Sequence, residues 1–221
     1  MQKRVVEAYI GEYASGKSEN AVNRALELAR EGEKVVLADL DLVEPFYTLR
    51  PIKKLLEEKN IEVIAWETQQ VMGLGEAGSV LKPEMRWVLK KEGNIILDIG
   101  YGVEGAKVLN LLEGFQDNPY LKIYVVVNIA RPATATVRDI VDYVRKLGNV
   151  DGLINNTHVG DDTDVKTIQE GARVVTAAAK ELNLPVIHTT AEKRLQGELG
   201  VSDICGNPVR YIDRYMPQTF W

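Results

Sequence analysis

Cysteine is nearly absent from this 221-residue chain: Cys205 stands alone, which excludes an internal disulfide and any intrachain Cys-x-x-Cys metal or redox centre. A lone thiol of this kind is expected to be a buried structural side chain. An excess of basic residues is also missing. With 27 Lys and Arg against 32 Asp and Glu, the net charge is −5, which excludes a nucleic-acid partner held by counterion release. The Lys53-Lys54 and Lys90-Lys91 pairs read as solvated helix faces. No apolar run reaches the length of a membrane span, and Met1-Gln2-Lys3-Arg4 leads into a strand pattern instead of a signal-peptide core. No membrane partner is therefore expected, and the location expected is cytoplasmic. No Pro/Gly/Ser-rich linker divides the chain and no repeat recurs in it, so residues 1–221 are expected to form a single domain.

What the chain does have is one complete motif near its start. The apolar run Val5-Val6-Glu7-Ala8-Tyr9-Ile10 leads into Gly11-Glu12-Tyr13-Ala14-Ser15-Gly16-Lys17-Ser18, which fits G-x-x-x-x-G-K-[ST] and opens a helical pattern. Glycines at 11 and 16 let the backbone curl so that successive N–H groups face a phosphate. The helix start adds a positive dipole end. Lys17 is placed to reach the β- and γ-phosphates, and the Ser18 hydroxyl to ligate a magnesium ion bridging them. Residues 11–18 are thus a candidate nucleotide site, with ATP or ADP and Mg2+ as its ligands.

The rest of the chain alternates between two periods. Helical spacing covers 18–30, 51–59, 83–91, 134–147 and 163–182. Apolar strand patterns cover 34–41, 61–66, 94–100, 122–128, 151–155 and 185–189. This predicts an α/β fold, a mostly parallel sheet of about seven strands with helices on both faces. Residues 67–80 mix apolar side chains with glycines and show no period, fitting either a buried crossover or a partner-binding surface. The tail 207–221 is aromatic and carries two prolines, which argue against a helix; it is expected to pack on its own domain.

Several strand patterns end in polar residues. In a parallel sheet, ligands bind beyond the carboxyl ends of the strands, which is where Gly11, Asp39, Asp41, Asp98, Asn128 and Asn155 fall. Asp98 suits a magnesium shell, with Gly100 beside it sensing the γ-phosphate. Asp41 suits orientation of an attacking water, with Asp39 nearer the metal, although Asp at a strand end is also a common helix cap. Arg131 after a strand end suits either γ-phosphate charge or a salt bridge. His158 reads as a loop histidine, and His188 as a core one.

The loop at 11–18, the Leu37-Ala38-Asp39-Leu40-Asp41 strand end and Leu97-Asp98-Ile99-Gly100 together resemble the MinD/ParA/CobQ/CobB branch of P-loop NTPases. Asn128 to Thr134, Gly152 to His158 and Arg214-Tyr215-Met216-Pro217 resemble a narrower bacterial group of that branch without an assigned reaction. The resemblance implies that an asparagine at the end of the 151–155 strand contacts adenine, pointing to Asn155, with Asn156 as the fallback. The strand end Asn155-Asn156-Thr157-His158 lacks the guanine-reading Asn-Lys-x-Asp, which favours ATP over GTP. MinD- and ParA-like proteins carry a second lysine after the first loop glycine that reaches across an ATP-sandwich dimer. Glu12 occupies that position here and must turn away from a triphosphate, so a homodimer stays open.

The function implied is a slow Mg-dependent ATPase acting as a switch for a protein partner. An alternative is an ATP-dependent carboxylate activator resembling dethiobiotin synthetase and CobB, with Arg50, Arg131 or Lys82 lining the pocket of a small acidic substrate. A metallocofactor-maturation ATPase ranks third, because one thiol per chain coordinates poorly.

Overall fold

The computed structural model describes residues 4–41, 49–65 and 81–216. The expectations for 67–80 and for the tail beyond 216 lie outside the described residues. Eight strands form one sheet: β1 (Val6–Gly11), β2 (Val35–Leu40), β3 (Ile61–Ile64), β4 (Asn94–Ile99), β5 (Leu121–Val127), β6 (Gly152–Asn155), β7 (Val186–Glu192) and β8 (Val209–Ile212). Their order is β3-β2-β4-β1-β5-β6-β7-β8, and every pairing is parallel. The chain starts in the middle of the sheet and winds outward to either side. The loop after β1 therefore opens where the winding changes direction, the usual place for a ligand crevice.

Residues of opposite parity supply two cores. Tyr9, Leu37, Ile96, Val126 and Ile154 face the helix α1 (Lys17–Arg30), packing against Ala21, Val22, Ala25 and Leu26. Ala8, Ala38, Leu97, Val125 and Leu153 face the other way, under the helices Val137–Leu147 and Val165–Leu182. Ile96 and Leu97 are both fully buried, as expected for a strand covered on both faces. Truncating such a residue to Ala costs about 2–5 kcal/mol.

The differences from the sequence reading have local causes. The helix expected from 134 begins at Val137, because Thr136 and Asp139 form a reciprocal capping box and Pro132–Thr134 makes a separate 3-10 turn. The sheet has eight strands instead of about seven. The extra one, β8, lies at the edge immediately after Pro208, whose carbonyl accepts from Thr189 N–H at 2.9 Å. A proline is tolerated there because its carbonyl still serves the ladder. Cys205 is exposed, which corrects the expectation of a buried thiol. It sits in a turn held by Asp203, whose Oδ1 accepts from its N–H at 2.9 Å.

One residue inside the β1 apolar run is charged and buried. Glu7 pairs with Arg24 of α1 at 3.1 Å and accepts from the Tyr9 hydroxyl at 2.8 Å. The pair ties the helix that follows the 11–18 loop to the central strand. Removing either partner would strand a buried charge.

Candidate functional site

The loop between β1 and α1 has the curled backbone its motif requires. Ala14 and Gly16 both take left-handed conformations, with φ of 53° and 87°. A Cβ on Gly16 would lie 2.0 Å from Asn156 Nδ2, and one on Gly11 would lie 2.4 Å from the carbonyl oxygen of Val126, so neither position admits a side chain. Lys17 is buried, and its ammonium donates to Glu12 O at 3.0 Å across the loop. Asn20, one turn into α1, donates to Gly16 O at 2.9 Å and accepts from Thr190 at 2.7 Å, bracing the loop against β7.

The three carboxylates expected at the strand ends come together beside this loop. Asp39 and Asp98 are register partners on adjacent strands, and both are buried. Asp39 accepts from Asp41 N–H at 3.1 Å and Leu49 N–H at 3.0 Å, so it also shapes the chain that follows β2. Asp41 stands against Gly100, where a Cβ would come within 3.1 Å of its Oδ1. Burial, and after it the Asp39 carboxylate, push the Asp98 carboxyl well above the usual range, against a Ser18 hydrogen bond and the nearby Lys17 charge that lower it.

These residues fit a magnesium-bound phosphate. Among the described residues, Asp98 Oδ1 and Ser15 Oγ are buried without a hydrogen-bond partner, the second inside the loop. Buried polar atoms of this kind call for a ligand. Ser18, Asp98 and Asp39 would hold the cation through its water shell, and the 11–18 backbone would hold phosphate.

Glu12 turns away from that position, as its charge demands. Its carboxylate acts on the Tyr143 phenol, which burial and then Glu12 raise, and its Oε1 is the nearest atom to a Cβ placed on Gly102, at 3.9 Å. Tyr13 stacks edge-on against Tyr101, with ring centroids 5.5 Å apart.

The two asparagines separate. The Asn155 amide is consumed inside the protein: its nitrogen donates to Ile168 O and Thr189 Oγ1, and its oxygen accepts from Thr157 N–H and Oγ1. No capacity remains for a base, which corrects the adenine expectation at that position. Asn156 reaches the loop, donating to Ser15 O at 2.7 Å, and lines a cavity of about 160 Å³ that Gly16–Glu19 also line.

The far wall of this cavity was not anticipated. Ile212, Arg214 and Met216 form it, and α1 holds them in place. Asn23 exchanges two hydrogen bonds with the Asp213 backbone, and Glu19 accepts from the N–H groups of Tyr215 and Met216 at 2.8–3.0 Å. Arg214 also pairs with Asp161. The only sequence signal for this wall is the Arg214-Tyr215-Met216 segment itself.

His158 lies in the same wall as Asn156, its ring bonded to the Ala14 carbonyl, while its Nδ1 accepts from Gly160 N–H at 3.4 Å. Burial, then Arg131 and Arg214, lower its pKa to about 4. Because the folded value lies below the unfolded one of about 6.5, the unfolded chain takes up the proton first as pH falls. Unfolding free energy at pH 5 is accordingly expected to be about 1.5 kcal/mol lower than at pH 6.5 from this group alone. Urea titrations of wild type and His158→Gln measure it, and the variant should lose that part of the slope. His188, on β7, is buried against α1 with its Nε2 3.4 Å from Asn20 Oδ1, the core position its sequence context suggests.

No protein-family model matches the sequence, and no curated protein matches it. Solved structures do share the fold. The cell division protein FtsY of Thermotoga maritima matches with a TM-score of 0.56 and 17% identity, over 87% of this chain and 63% of that one. The signal recognition particle receptor FtsY of Elizabethkingia anophelis, solved in complex with GDP, matches with a TM-score of 0.58 and 15% identity, over 89% of this chain and 59% of that one. A nucleotide-binding protein of Archaeoglobus fulgidus, solved in complex with ADP, has a TM-score of 0.50 and 16% identity over 84% of this chain and 80% of its own. The chain thus spans about three fifths of the FtsY chains. The eight-stranded parallel sheet and these likenesses give the chain a P-loop NTPase fold.

Proposed function

We propose that this protein binds ATP with Mg2+ in the 11–18 loop, hydrolyses it slowly, and uses the presence of the γ-phosphate to control a protein partner, in the manner of the MinD/ParA-like branch. The observation that carries the reading is the buried set of Lys17, Asp39 and Asp98 beside the half-buried Ser18, with Asp98 Oδ1 unsatisfied among the described residues. Adenine is favoured because the β6 end carries no guanine-reading Asn-Lys-x-Asp. No described helix is long and apolar enough to cross a membrane, consistent with a cytoplasmic location.

In this scheme the loop N–H groups and Lys17 hold the β- and γ-phosphates, the ammonium exchanging Glu12 O for phosphate oxygens. Ser18, Asp98 and Asp39 would hold a Mg2+ ion, which would supply neutralisation of charge on those oxygens. Asp41 orients a water for in-line attack on the γ-phosphorus. The bond from that phosphorus to the β,γ-bridging oxygen breaks, giving ADP and phosphate. The contact of Asp41 with Gly100 links the 39–41 and 99–105 segments, so loss of the γ-phosphate can release both together.

The test follows bound nucleotide and sedimentation together for Asp41→Ala protein. This variant should hold ATP without turning it over, and a change of association state with ATP but not ADP supports the switch. Undiminished turnover in the variant would remove Asp41 from its role.

A second reading is favoured by one observation. Glu12 stands where the dimer lysine of MinD-like proteins would be, and it faces Tyr143 instead of a partner's phosphates. An ATP-dependent activation of a small carboxylic acid, dethiobiotin synthetase- or CobB-like, needs no such lysine. A metabolite acid that raises turnover by orders of magnitude would select it.

A further inference from the structure

A carboxylate lines the cavity that Gly16–Glu19 also line. Glu192 is the last residue of β7 and lines the cavity with a side chain 23% exposed. Most other polar side chains around it are committed to the protein: Thr157 donates to Asn155, Thr163 to Gly160 O, Thr190 to Asn20, and Glu19 accepts from the chain at 215–216. Among the described residues Glu192 instead has one ion-pair partner within 4 Å, Arg194 at 3.5 Å, and it also acts at longer range on Arg214 and Glu19 of the same wall.

That partner is itself fixed. Arg194 donates to Thr163 O at 2.7 Å and Asp161 O at 3.1 Å, so one guanidinium ties the 160–163 turn, which lines the cavity, to the Glu192 carboxylate. A carboxylate accepts hydrogen bonds and cannot donate one. On the wall of a cavity that the start of the 11–18 loop's helix also lines, it selects a ligand that presents a donor there.

Resting on the nucleotide reading above, we propose that Glu192 reads the base: its carboxylate accepts a hydrogen bond from the 6-amino group of adenine, and Arg194 positions it to do so. A purine with oxygen at that position meets an acceptor with an acceptor. Sites built around one hydrogen bond discriminate strongly against analogues that cannot make it, because a buried polar group is left unpaired.

Calorimetric titration with ATP, ITP and GTP, of wild type, Glu192→Gln and Arg194→Ala, tests this. Wild type is expected to bind ATP at least about tenfold more tightly than ITP, a difference of about 1.4 kcal/mol. In Glu192→Gln the amide can donate to the 6-oxygen, so ITP should come within about threefold of ATP. Arg194→Ala should narrow the ATP/ITP ratio while both nucleotides still bind. An ATP/ITP ratio unchanged in Glu192→Gln overturns the proposal and leaves the nucleotide site standing. Preference of wild type for GTP, lost in Glu192→Gln, overturns it in favour of a carboxylate reading the N1–H and 2-amino edge of guanine. Failure of wild type to bind any triphosphate overturns the nucleotide reading itself, a result distinct from either.

Discussion

Lys17→Ala is expected to weaken ATP binding at least about 100-fold, a loss of about 2.7 kcal/mol. The size follows from where the ammonium sits. Lys17 is buried, bonded to Glu12 O across the loop, and close enough to Asp98 to lower its pKa. It is therefore held ready as a cation, in a low-dielectric place where an interaction with phosphate is worth more than at the surface. Alanine removes that charge and leaves the loop N–H groups as the remaining phosphate donors. Isothermal titration measures the affinity, and thermal unfolding in parallel establishes that the variant folds. Affinity within about threefold of wild type would mean that the phosphates lie elsewhere.

Asp98→Asn should separate binding from turnover. Asp98 is enclosed in the sheet, receives the Ser18 hydroxyl and has one oxygen without a partner. An amide of the same shape preserves packing but offers the cation shell half a dipole in place of a charge. Changes behind a metal's direct ligands typically cost about 10–100-fold. ATP hydrolysis is expected to fall by about that factor, with ATP affinity in EDTA changed by less than about threefold. Hydrolysis undiminished in the variant would show that Asp98 serves the fold alone.

The curled loop at 11–18 was legible from the sequence because a phosphate site demands a fixed spacing of glycines, a lysine and a hydroxyl between a strand and a helix. The strand-end carboxylates were legible for a similar reason. An apolar run stopping at Asp39 or Asp98 marks a parallel strand's carboxyl end, and the β2–β4 register then sets the two side by side. Asn155 and Asn156 were not separable in this way. Neighbouring strand-end residues face opposite ways, so a slip of one position exchanges a core amide for one at the loop. The outer wall of the cavity depends on contacts between residues nearly 200 positions apart, such as Glu19 with Met216. Local pattern carries no trace of such contacts. Strand β8 was hidden by Pro208, whose meaning depends on whether the strand lies at an edge or in the sheet's middle. Glu7 was hidden by its apolar neighbours, since the Arg24 that balances it lies on the following helix.

The most direct test of a single Mg-triphosphate site is equilibrium dialysis of wild-type protein against ATP, once with Mg2+ and once with EDTA. One ATP per chain should bind, and Mg2+ should tighten it at least about tenfold, since Ser18, Asp39 and Asp98 then act through the cation. Binding that is absent, or equally strong with and without Mg2+, would contradict the assignment of those three residues and the site built from them.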